Sequence, residues 1–303
     1  MKIVLLGPDG QVGWELQRAL APLGDLIVLR RDGLPSDGHP QCGDLARVDD
    51  LVASLRALQP DVVVNAAAYT AVDKAESEPG LARTINALAP GAVADVVAEL
   101  GGWLLHFSTD YVFDGGGEHA RDEQAPTGPL SVYGRTKLEG EEHIRASGCK
   151  HLILRTSWVY AARGGNFART MLKLAAEREA LSVINDQIGA PTGADLLADI
   201  TAHALRAVLR QPQLEGTYHV AAAGETSWHG YARFVIDWAR QHGLPVKVAS
   251  DAIQAVPTSA YPTPARRPLN SRLATHKFRR TFELTLPDWQ AGVERMLNEA
   301  YPR

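Results

Sequence analysis

The chain has 303 residues, of which 45% are hydrophobic and 22% are charged, and its formal net charge is −4. This composition can bury a large core in one or two domains, and the lack of a basic block removes the electrostatic support that nucleic-acid binding needs. The apolar runs are too short to span a bilayer and no signal-peptide pattern opens the chain, so we expect a cytoplasmic protein without a membrane partner.

The first half of the chain alternates short apolar runs with segments of helical period. Strands are predicted at residues 2–6, 26–29, 61–65, 103–108 and 151–156. Helices are predicted at residues 13–23, 45–58, 81–100 and 133–145. This alternation predicts an α/β fold with a Rossmann-like, doubly wound parallel sheet, in which ligands lie beyond the carboxyl ends of the strands.

The second half is less regular, with helices predicted at residues 167–178, 196–209 and 228–242 and a strand at 216–221. Residues 256–268 include four prolines, which argues against regular structure there. We expect a dinucleotide-binding domain mainly at residues 1–160 and a smaller mixed α/β substrate domain mainly at 161–303, with the chain crossing back between them. The substrate would lie in the cleft, with residues 256–268 as a mobile wall.

Three glycines, Gly7, Gly10 and Gly13, follow the first predicted strand and open the first predicted helix. Their spacing is Gly-x-x-Gly-x-x-Gly, not the Gly-x-Gly-x-x-Gly of standard dehydrogenases. Glycines here permit a tight turn and close approach of a pyrophosphate, and the helix N-terminus offers free N–H groups. The motif, with Gln11 and Val12 between its glycines, predicts a dinucleotide site.

The second predicted strand is followed by Arg30, Arg31 and Asp32. An acid at this position would bind the ribose 2′-hydroxyl of NAD, whereas an arginine suits the 2′-phosphate of NADP. The arginines come first, so we favour NADPH and assign Arg30 and Arg31 to its binding. Asp32 leaves NADH open as an alternative.

Tyr133 and Lys137 lie four residues apart in a predicted helix, so they share one face. A free tyrosine has a pKa of about 10, and a nearby ammonium group lowers that pKa toward the working range. Thr109, at the end of a predicted strand, can hydrogen-bond the same reacting oxygen. The three residues predict proton transfer to or from a hydroxyl or carbonyl group.

Longer blocks of sequence surround these residues. They are Asn65-Ala-Ala-Ala-Tyr69, Ala71-Val-Asp-Lys-Ala-Glu76, Ser108-Thr-Asp-Tyr-Val-Phe-Asp-Gly115, Arg155-Thr-Ser-Trp-Val-Tyr160, Asn185-Asp-Gln-Ile-Gly-Ala-Pro-Thr192 and Arg267-Pro-Leu-Asn-Ser-Arg-Leu273. Together with the glycines and the tyrosine–lysine pair, they resemble the extended short-chain dehydrogenase/reductases. Over nearly the whole chain they resemble the dTDP-4-dehydrorhamnose reductase family.

The resemblance implies that NADPH reduces the 4-keto group of dTDP-4-dehydro-L-rhamnose to give dTDP-L-rhamnose. This reaction is the last step of dTDP-rhamnose biosynthesis for cell-surface polysaccharide such as lipopolysaccharide. The resemblance also implies that Tyr133 donates the proton, that Lys137 holds the nicotinamide ribose and lowers the tyrosine pKa, and that Thr109 orients the carbonyl. It further implies a dTDP-sugar ligand and a homodimer.

Further cofactor contacts follow from the same resemblance. Asp44 and Leu45, after a third short strand, would lie against the adenine. Small side chains at Ala67 and Ala68, followed by Tyr69, would let the backbone approach the cofactor closely. Tyr133 and Lys137 would contact the cofactor as well.

The resemblance places Asp110, Trp158, Lys74 and Arg267, with Thr109, at the substrate. Arg267 would hold the diphosphate bidentately, although a salt bridge within a loop would explain it equally well. Trp158 also fits a core position, and Lys74 also fits an ion pair with a nearby glutamate. Asn86 is predicted to have a structural role.

Relatives of this family are associated with magnesium, for which Glu15 and Asp195 would supply carboxylates. Their spacing forms no metal site by itself, and the two cysteines, Cys42 and Cys149, have neither metal-site nor disulfide spacing. We therefore assign no metal-binding residue and leave Mg²⁺ open.

Two other functions remain open from the sequence. A sugar-nucleotide dehydratase that resembles this chain carries an acid after the Thr–Asp pair, where this chain has Tyr111, and an epimerase would need no added cofactor. A non-catalytic NADP-binding regulatory subunit is the third reading. The intact set of Thr109, Tyr133 and Lys137 argues against that reading.

Overall fold

The structure is a computed structural model and describes residues 1–33 and 41–302. Its strands are β1 (Lys2–Leu6), β2 (Asp25–Leu29), β3 (Val62–Asn65), β4 (Trp103–Thr109), β5 (Lys150–Thr156), β6 (Val159–Tyr160), β7 (Leu181–Ile184), β8 (Ile188–Gly189), β9 (Thr192–Gly193), β10 (Gly216–His219), β11 (Thr226–Ser227) and β12 (Ile253–Val256). Its helices are α1 (Gln11–Leu20), α2 (Val48–Leu58), α3 (Val72–Ala75), α4 (Pro79–Arg83), α5 (Ala89–Leu100), α6 (Val132–Ala146), α7 (Phe167–Glu177), α8 (Ala194–Arg210), α9 (Trp228–Gln241), α10 (His276–Phe282) and α11 (Trp289–Ala300).

A six-stranded parallel sheet lies at the centre, in the order β10-β5-β4-β3-β1-β2. The chain runs from β1 to its neighbour β2 and then returns to the other side of β1 with β3. The topological switch point therefore lies between β1 and β3, where open α/β sheets bind their ligands. The predicted doubly wound parallel sheet is confirmed.

Alternating side chains of the central strands fill two cores, one on each face of the sheet. Ile3 and Leu5 of β1 pack with α1, α8 and α10, whereas Val4 and Leu6 pack with α2, α5 and α6. All four side chains are fully buried, and each such burial stabilises the fold by about 1.5–3 kcal/mol. Helices therefore cover both faces, which is why these strands are apolar throughout.

The second half of the chain contributes to the sheet and also builds separate cores. β10 is an edge strand of the sheet, and α8 packs on α1. An aromatic-rich core with Tyr231, Trp238 and Trp289 joins α7, α9 and α11. A further core lies between α7, α9 and the parallel pair β7–β12. The boundary near residue 160 stays a prediction.

The predicted helix at residues 81–100 is interrupted. It consists of α4, a π-helical turn at Thr84–Leu88, and α5. Pro90 has no N–H to donate to the preceding turn, which disfavours a regular α-helical ladder there. Asn86 lies in this turn, and its side chain bonds both the N–H and the carbonyl of Tyr69, at 2.8 and 3.2 Å.

A short strand was predicted before Asp44, and residues 34–40 of that segment lie outside the described residues. The described residues 41–44 have no strand structure. Asp44 instead begins a turn, with its carboxylate accepting from Ala46 N–H at 3.0 Å. β7, β12, α10 and α11 were not predicted. In the part of the chain that the structure describes, no helix has the length and apolarity to cross a membrane.

Candidate active site

The glycine turn joins β1 to α1 at the switch point of the sheet. Gly7 has a φ of +75°, and Gly10 N–H donates to Gly7 O at 3.2 Å. A Cβ atom on Gly7 would lie 2.7 Å from Ala67 N, and one on Gly13 would lie 1.9 Å from Gly7 O. The turn therefore packs so tightly on itself and on the end of β3 that only glycine fits at these two positions.

Substitution of Gly13 tests this packing. We expect Gly13→Ala to destabilise the fold by about 3 kcal/mol or more, because its Cβ would meet backbone that cannot move aside. Gly10→Ala is the matched control, since the nearest atom to its Cβ is 3.5 Å away. Urea unfolding of both variants gives the measurement, and equal midpoints would contradict the packing argument.

A cavity of about 590 Å³ opens beside this turn, at the carboxyl ends of the central strands. It is lined by the predicted cofactor residues Gly7, Gly10, Gln11, Val12, Arg31, Ala67, Ala68, Tyr133 and Lys137. The N-terminus of α1, the alanine-lined floor and one arginine form a cradle that matches a dinucleotide in size and charge. Among the described residues, the buried Oε1 atom of Gln11 has no hydrogen-bond partner, so this cavity-lining residue keeps a free acceptor.

The other predicted cofactor residues do not line this cavity. Gly13 packs beneath the turn, and Arg30 forms an ion pair with Asp9. Leu45 is buried in the core, and the Tyr69 hydroxyl donates to Glu78 at 2.6 Å. Neither Asp44 nor Leu45 lines the cavity, although Gly43, which precedes them, does.

Tyr133 and Thr109 meet at one end of the cavity. Ser131 caps the N-terminus of α6 by accepting from Gly134 N–H at 3.1 Å, and this cap places Tyr133 in the first turn of the helix. The Tyr133 hydroxyl is hydrogen-bonded to Thr109, and its ring meets the Tyr111 ring edge-on at 5.4 Å. Burial raises the pKa of Tyr133 to about 12, although the bond to Thr109 opposes this shift.

Lys137 is buried one helical turn further on, with only 2% of its surface exposed. Its Nζ atom donates to Phe107 O at 2.7 Å and lies 3.0 Å from His106 Nε2. Burial lowers the pKa of Lys137 to about 8, and the charge of Glu141 opposes this shift. Lys137 is not among the groups that shift the pKa of Tyr133 here, where burial has the largest effect, so the lowering of that pKa by Lys137 stays a prediction.

Asp110 lies next to this group and is 2% exposed. Its Oδ1 atom accepts from the Thr109 hydroxyl at 3.1 Å, whereas its Oδ2 atom is buried without a hydrogen-bond partner. Burial raises the pKa of Asp110 to about 6, and hydrogen bonds from Ser271 and Thr109 oppose this shift. A buried unpaired acceptor is costly, so this oxygen is ready to accept a bond from a ligand hydroxyl.

A second cavity of about 470 Å³ contains Tyr111 in its wall, next to Tyr133. Its lining combines apolar and aromatic side chains, among them Phe167 and Trp228, with Arg267. Trp158 does not line it but stacks on the Trp228 ring with centroids 3.7 Å apart. The cavity therefore offers a flat aromatic wall and two arginines, Arg178 and Arg267, a combination that suits a nucleotide base and its phosphates.

Two predicted substrate residues have ion-pair partners. Arg267 reaches Asp73 of α3, with Nη2 2.6 Å from Oδ2, and also hydrogen-bonds Tyr111. Lys74 is 64% exposed and lies 2.9 Å from Glu78 on the outer surface. The structure thus brings Arg267 to the second cavity but places Lys74 in the alternative ion pair.

The carboxylates considered for magnesium also have cationic partners. Glu15 lies 3.6 Å from Arg18, and Asp195 lies 2.5 Å from Arg295. Within residues 1–33 and 41–302, no three His, Cys, Asp or Glu side chains come together as a metal site.

Several buried polar residues that support the site were not predicted. His106 and Asn65 are each 1% exposed and lie 3.2 Å apart, between Nδ1 and Nδ2. Glu141 is fully buried and accepts from Ser108 Oγ at 2.6 Å and from Arg155 Nη2 at 2.6 Å. His106 interrupts the apolar run Trp103–Phe107 of β4, which is a sequence signal for this network, but pairing between strands determines its partners.

Comparisons with known proteins agree with this geometry. Residues 1–301 match the family model described as the RmlD substrate binding domain. The chain is 56% identical to the dTDP-4-dehydrorhamnose reductase of Escherichia coli K12, covering 99% of this chain and 98% of that one.

Solved structures are similar over almost the same length. The reductase of that name from Clostridium acetobutylicum has a TM-score of 0.86 and 33% identity, covering 99% of both chains. The one from Bacillus anthracis, solved in complex with NADP, has a TM-score of 0.85 and 32% identity, covering 98% of this chain and 99% of that chain. The chain therefore belongs to the dTDP-4-dehydrorhamnose reductase family, whose members are NAD(P)H-dependent oxidoreductases that act on sugar nucleotides.

Proposed function

We propose that this protein reduces the 4-keto group of dTDP-4-dehydro-L-rhamnose to dTDP-L-rhamnose, with NADPH as the reductant. The observation that carries the proposal is the convergence of Thr109, Tyr133 and Lys137 beside a cavity of dinucleotide size. The bound nicotinamide would supply the hydride. The name shared by relatives of up to 56% identity supports the choice of substrate.

The proposed role of Tyr133 is to donate the proton to the carbonyl oxygen. Because its pKa is raised to about 12, the hydroxyl keeps its proton at neutral pH, and the oxygen that gains charge during reduction is a strong enough base to accept it. Thr109 shares a hydrogen bond with Tyr133, so it is placed to orient the same oxygen. Asp110 Oδ2 would accept a bond from a sugar hydroxyl.

We propose that the nucleotide part of the substrate occupies the second cavity. The Trp228 ring, backed by Trp158, would pack against the thymine, and Gln187 holds the Trp228 indole N–H at 3.0 Å. Arg267 would bind the diphosphate by exchanging part of its contact with Asp73. The sugar would then lie beside Tyr111 and reach Tyr133.

Arg31 is the residue that we propose distinguishes NADPH from NADH. It lines the cofactor cavity, whereas Arg30 is paired with Asp9. The Bacillus anthracis relative was solved with NADP, which supports the same cofactor here.

Replacement of Arg31 tests this assignment. We expect Arg31→Ala to weaken NADPH binding by about 10- to 100-fold and to leave NADH binding unchanged, because a charge-assisted phosphate contact contributes about 1.5–3 kcal/mol. Arg30→Ala is the matched control and should have a smaller effect. Fluorescence titration with each cofactor gives the values, and an equal loss for both cofactors would refute the assignment.

The biological setting follows from the proposed reaction. The product would be the end product of dTDP-rhamnose biosynthesis, which supplies cell-surface polysaccharide such as lipopolysaccharide. A cytoplasmic location and a homodimer are proposed with it on the family resemblance.

The direct test is an absorbance assay of NADPH with freshly generated dTDP-4-dehydro-L-rhamnose, repeated with NADH. We expect substrate-dependent oxidation of NADPH and formation of dTDP-L-rhamnose. Turnover of the sugar nucleotide without any added cofactor would instead indicate an epimerase. Cofactor binding with no reduction would indicate a regulatory subunit.

A further inference from the structure

A chain of hydrogen bonds runs from the backbone of the loop after β3 to the buried lysine. Ala67 N–H donates to Asn65 Oδ1 at 3.1 Å. Asn65 Nδ2 lies 3.2 Å from His106 Nδ1, and His106 Nε2 lies 3.0 Å from Lys137 Nζ. The two middle side chains are almost fully buried, so water does not replace these contacts.

The first donor in this chain determines the direction of every later bond. A backbone N–H can only donate, so the oxygen of the Asn65 amide must face Ala67 and its NH₂ group must face His106. An NH₂ group also only donates, so His106 Nδ1 must accept. In a neutral imidazole the proton is then on Nε2, which faces Lys137.

The imidazole is held neutral by its surroundings. Burial, together with the neighbouring charge of Lys137, keeps the pKa of His106 well below its usual value. An imidazolium would also place a second N–H against the Asn65 NH₂ group. The neutral tautomer with its proton on Nε2 therefore fits this site, because its Nδ1 atom can accept from the Asn65 NH₂ group.

We propose that Asn65 and His106 are positioning residues that act through Lys137: they present an N–H to its Nζ atom and thereby favour the uncharged amine. An amine has one lone pair to accept from His106 and two N–H groups, one for Phe107 O and one for the cavity. An ammonium group would turn its third N–H toward the N–H of His106. The proposal relies on the proposed reductase function only for the catalytic use of Lys137.

Other ionisable groups near Lys137 also affect the balance between its ammonium and amine forms. On its own helix, Glu141 favours the ammonium form, but Arg155 of β5 and Arg145 of α6 neutralise that carboxylate at 2.6 and 3.1 Å. Tyr133, on the same face of α6, keeps its proton and carries no charge at neutral pH. His106 of β4 is thus the group in direct contact that decides between the two forms.

Two substitutions remove the donor that faces Lys137 in different ways. In Asn65→Asp, one carboxylate oxygen still accepts from Ala67 N–H while the other accepts from His106 Nδ1–H, so Nε2 becomes an acceptor for the lysine ammonium. In His106→Phe, both ring nitrogens are lost, so no N–H faces Lys137 and no charge is added. Both changes remove the N–H that faces Nζ.

The first measurement is the tautomer of His106, from two-bond ¹H–¹⁵N correlation spectra of the unliganded protein labelled with ¹⁵N-histidine. We expect Nε2–H in the wild-type protein and Nδ1–H in Asn65→Asp. A wild-type Nδ1–H tautomer or an imidazolium would overturn the proposal. This spectrum requires no substrate, so its result is independent of whether the protein is a reductase.

The second measurement is the titration midpoint of Lys137, followed by the NMR signal of its labelled Cε carbon. We expect both variants to raise the midpoint by about one pH unit or more, since the amine loses its favourable partner. A rise in Asn65→Asp alone would mean that only the added charge matters, which would refute the proposal. If one variant does not fold, the wild-type tautomer and the other variant still decide the result.

Discussion

Tyr133→Phe should lower the turnover of dTDP-4-dehydro-L-rhamnose by about 10²- to 10⁴-fold, which is the usual contribution of a positioned proton donor. The ring of the variant would keep its edge-on contact with Tyr111, so NADPH binding and the unfolding midpoint should not change. Steady-state kinetics at saturating cofactor, with a fluorescence titration of NADPH, separate the chemical step from binding.

The control for this loss is another tyrosine. Tyr218→Phe removes a hydroxyl that donates to Leu214 O at 2.8 Å; Tyr218 is in the edge strand β10 and lines neither cavity, so turnover should not change. Near-normal turnover in Tyr133→Phe would eliminate the tyrosine as the proton donor, because the other polar groups at this end of the cavity would then supply the proton.

Glu141→Gln should destabilise the fold by about 3–5 kcal/mol, because it leaves the buried Arg155 guanidinium without a counter-charge. Glu141 is fully buried, and Arg155 is 3% exposed. The same carboxylate also accepts from Ser108 at 2.6 Å, so its loss would loosen the end of β4 next to Thr109. The free energy of unfolding in urea gives the value.

An exposed glutamate serves as the control. Glu99 pairs with Arg56 at 2.9 Å, but both side chains are more than half exposed, so Glu99→Gln should leave the unfolding midpoint unchanged. An unchanged unfolding midpoint in Glu141→Gln as well would mean that the charge of the buried ion pair contributes little to stability.

Acid should weaken the same ion pair. Burial alone would raise the pKa of Glu141, but the hydrogen bonds and charge of Arg155, with bonds from Ser108 and Arg145, hold it below its ordinary value of 4.5. A depressed folded pKa contributes stability that is present at neutral pH and is lost as the pH falls through that folded pKa. In Glu141→Gln this part of the acid dependence should be absent.

The sequence determines the central sheet almost completely because each strand is an apolar run of its own. Residues 2–6 and 103–108 were predicted within one residue of the strands Lys2–Leu6 and Trp103–Thr109. The α10 and α11 helices were missed, because their apolar residues pack on cores that the linear sequence does not reveal.

At the site, local geometry brings predicted residues together, whereas contacts between distant residues were not predicted. Tyr133 and Lys137, four residues apart on one helix, line the same cavity of about 590 Å³. The charge partner of Arg267 is Asp73, 194 residues away, and no local pattern predicts that pair. The position of His106 against Lys137 likewise depends on the packing of α6 on β4.

The central claim is that hydride passes from the nicotinamide to C4 of the sugar. The most direct measurement uses NADPH that carries deuterium at both C4 positions of its nicotinamide with dTDP-4-dehydro-L-rhamnose, followed by mass and NMR analysis of the product. We predict one deuterium at C4 of dTDP-L-rhamnose for each NADPH oxidised. An unlabelled product, or conversion without loss of NADPH, would contradict the claim.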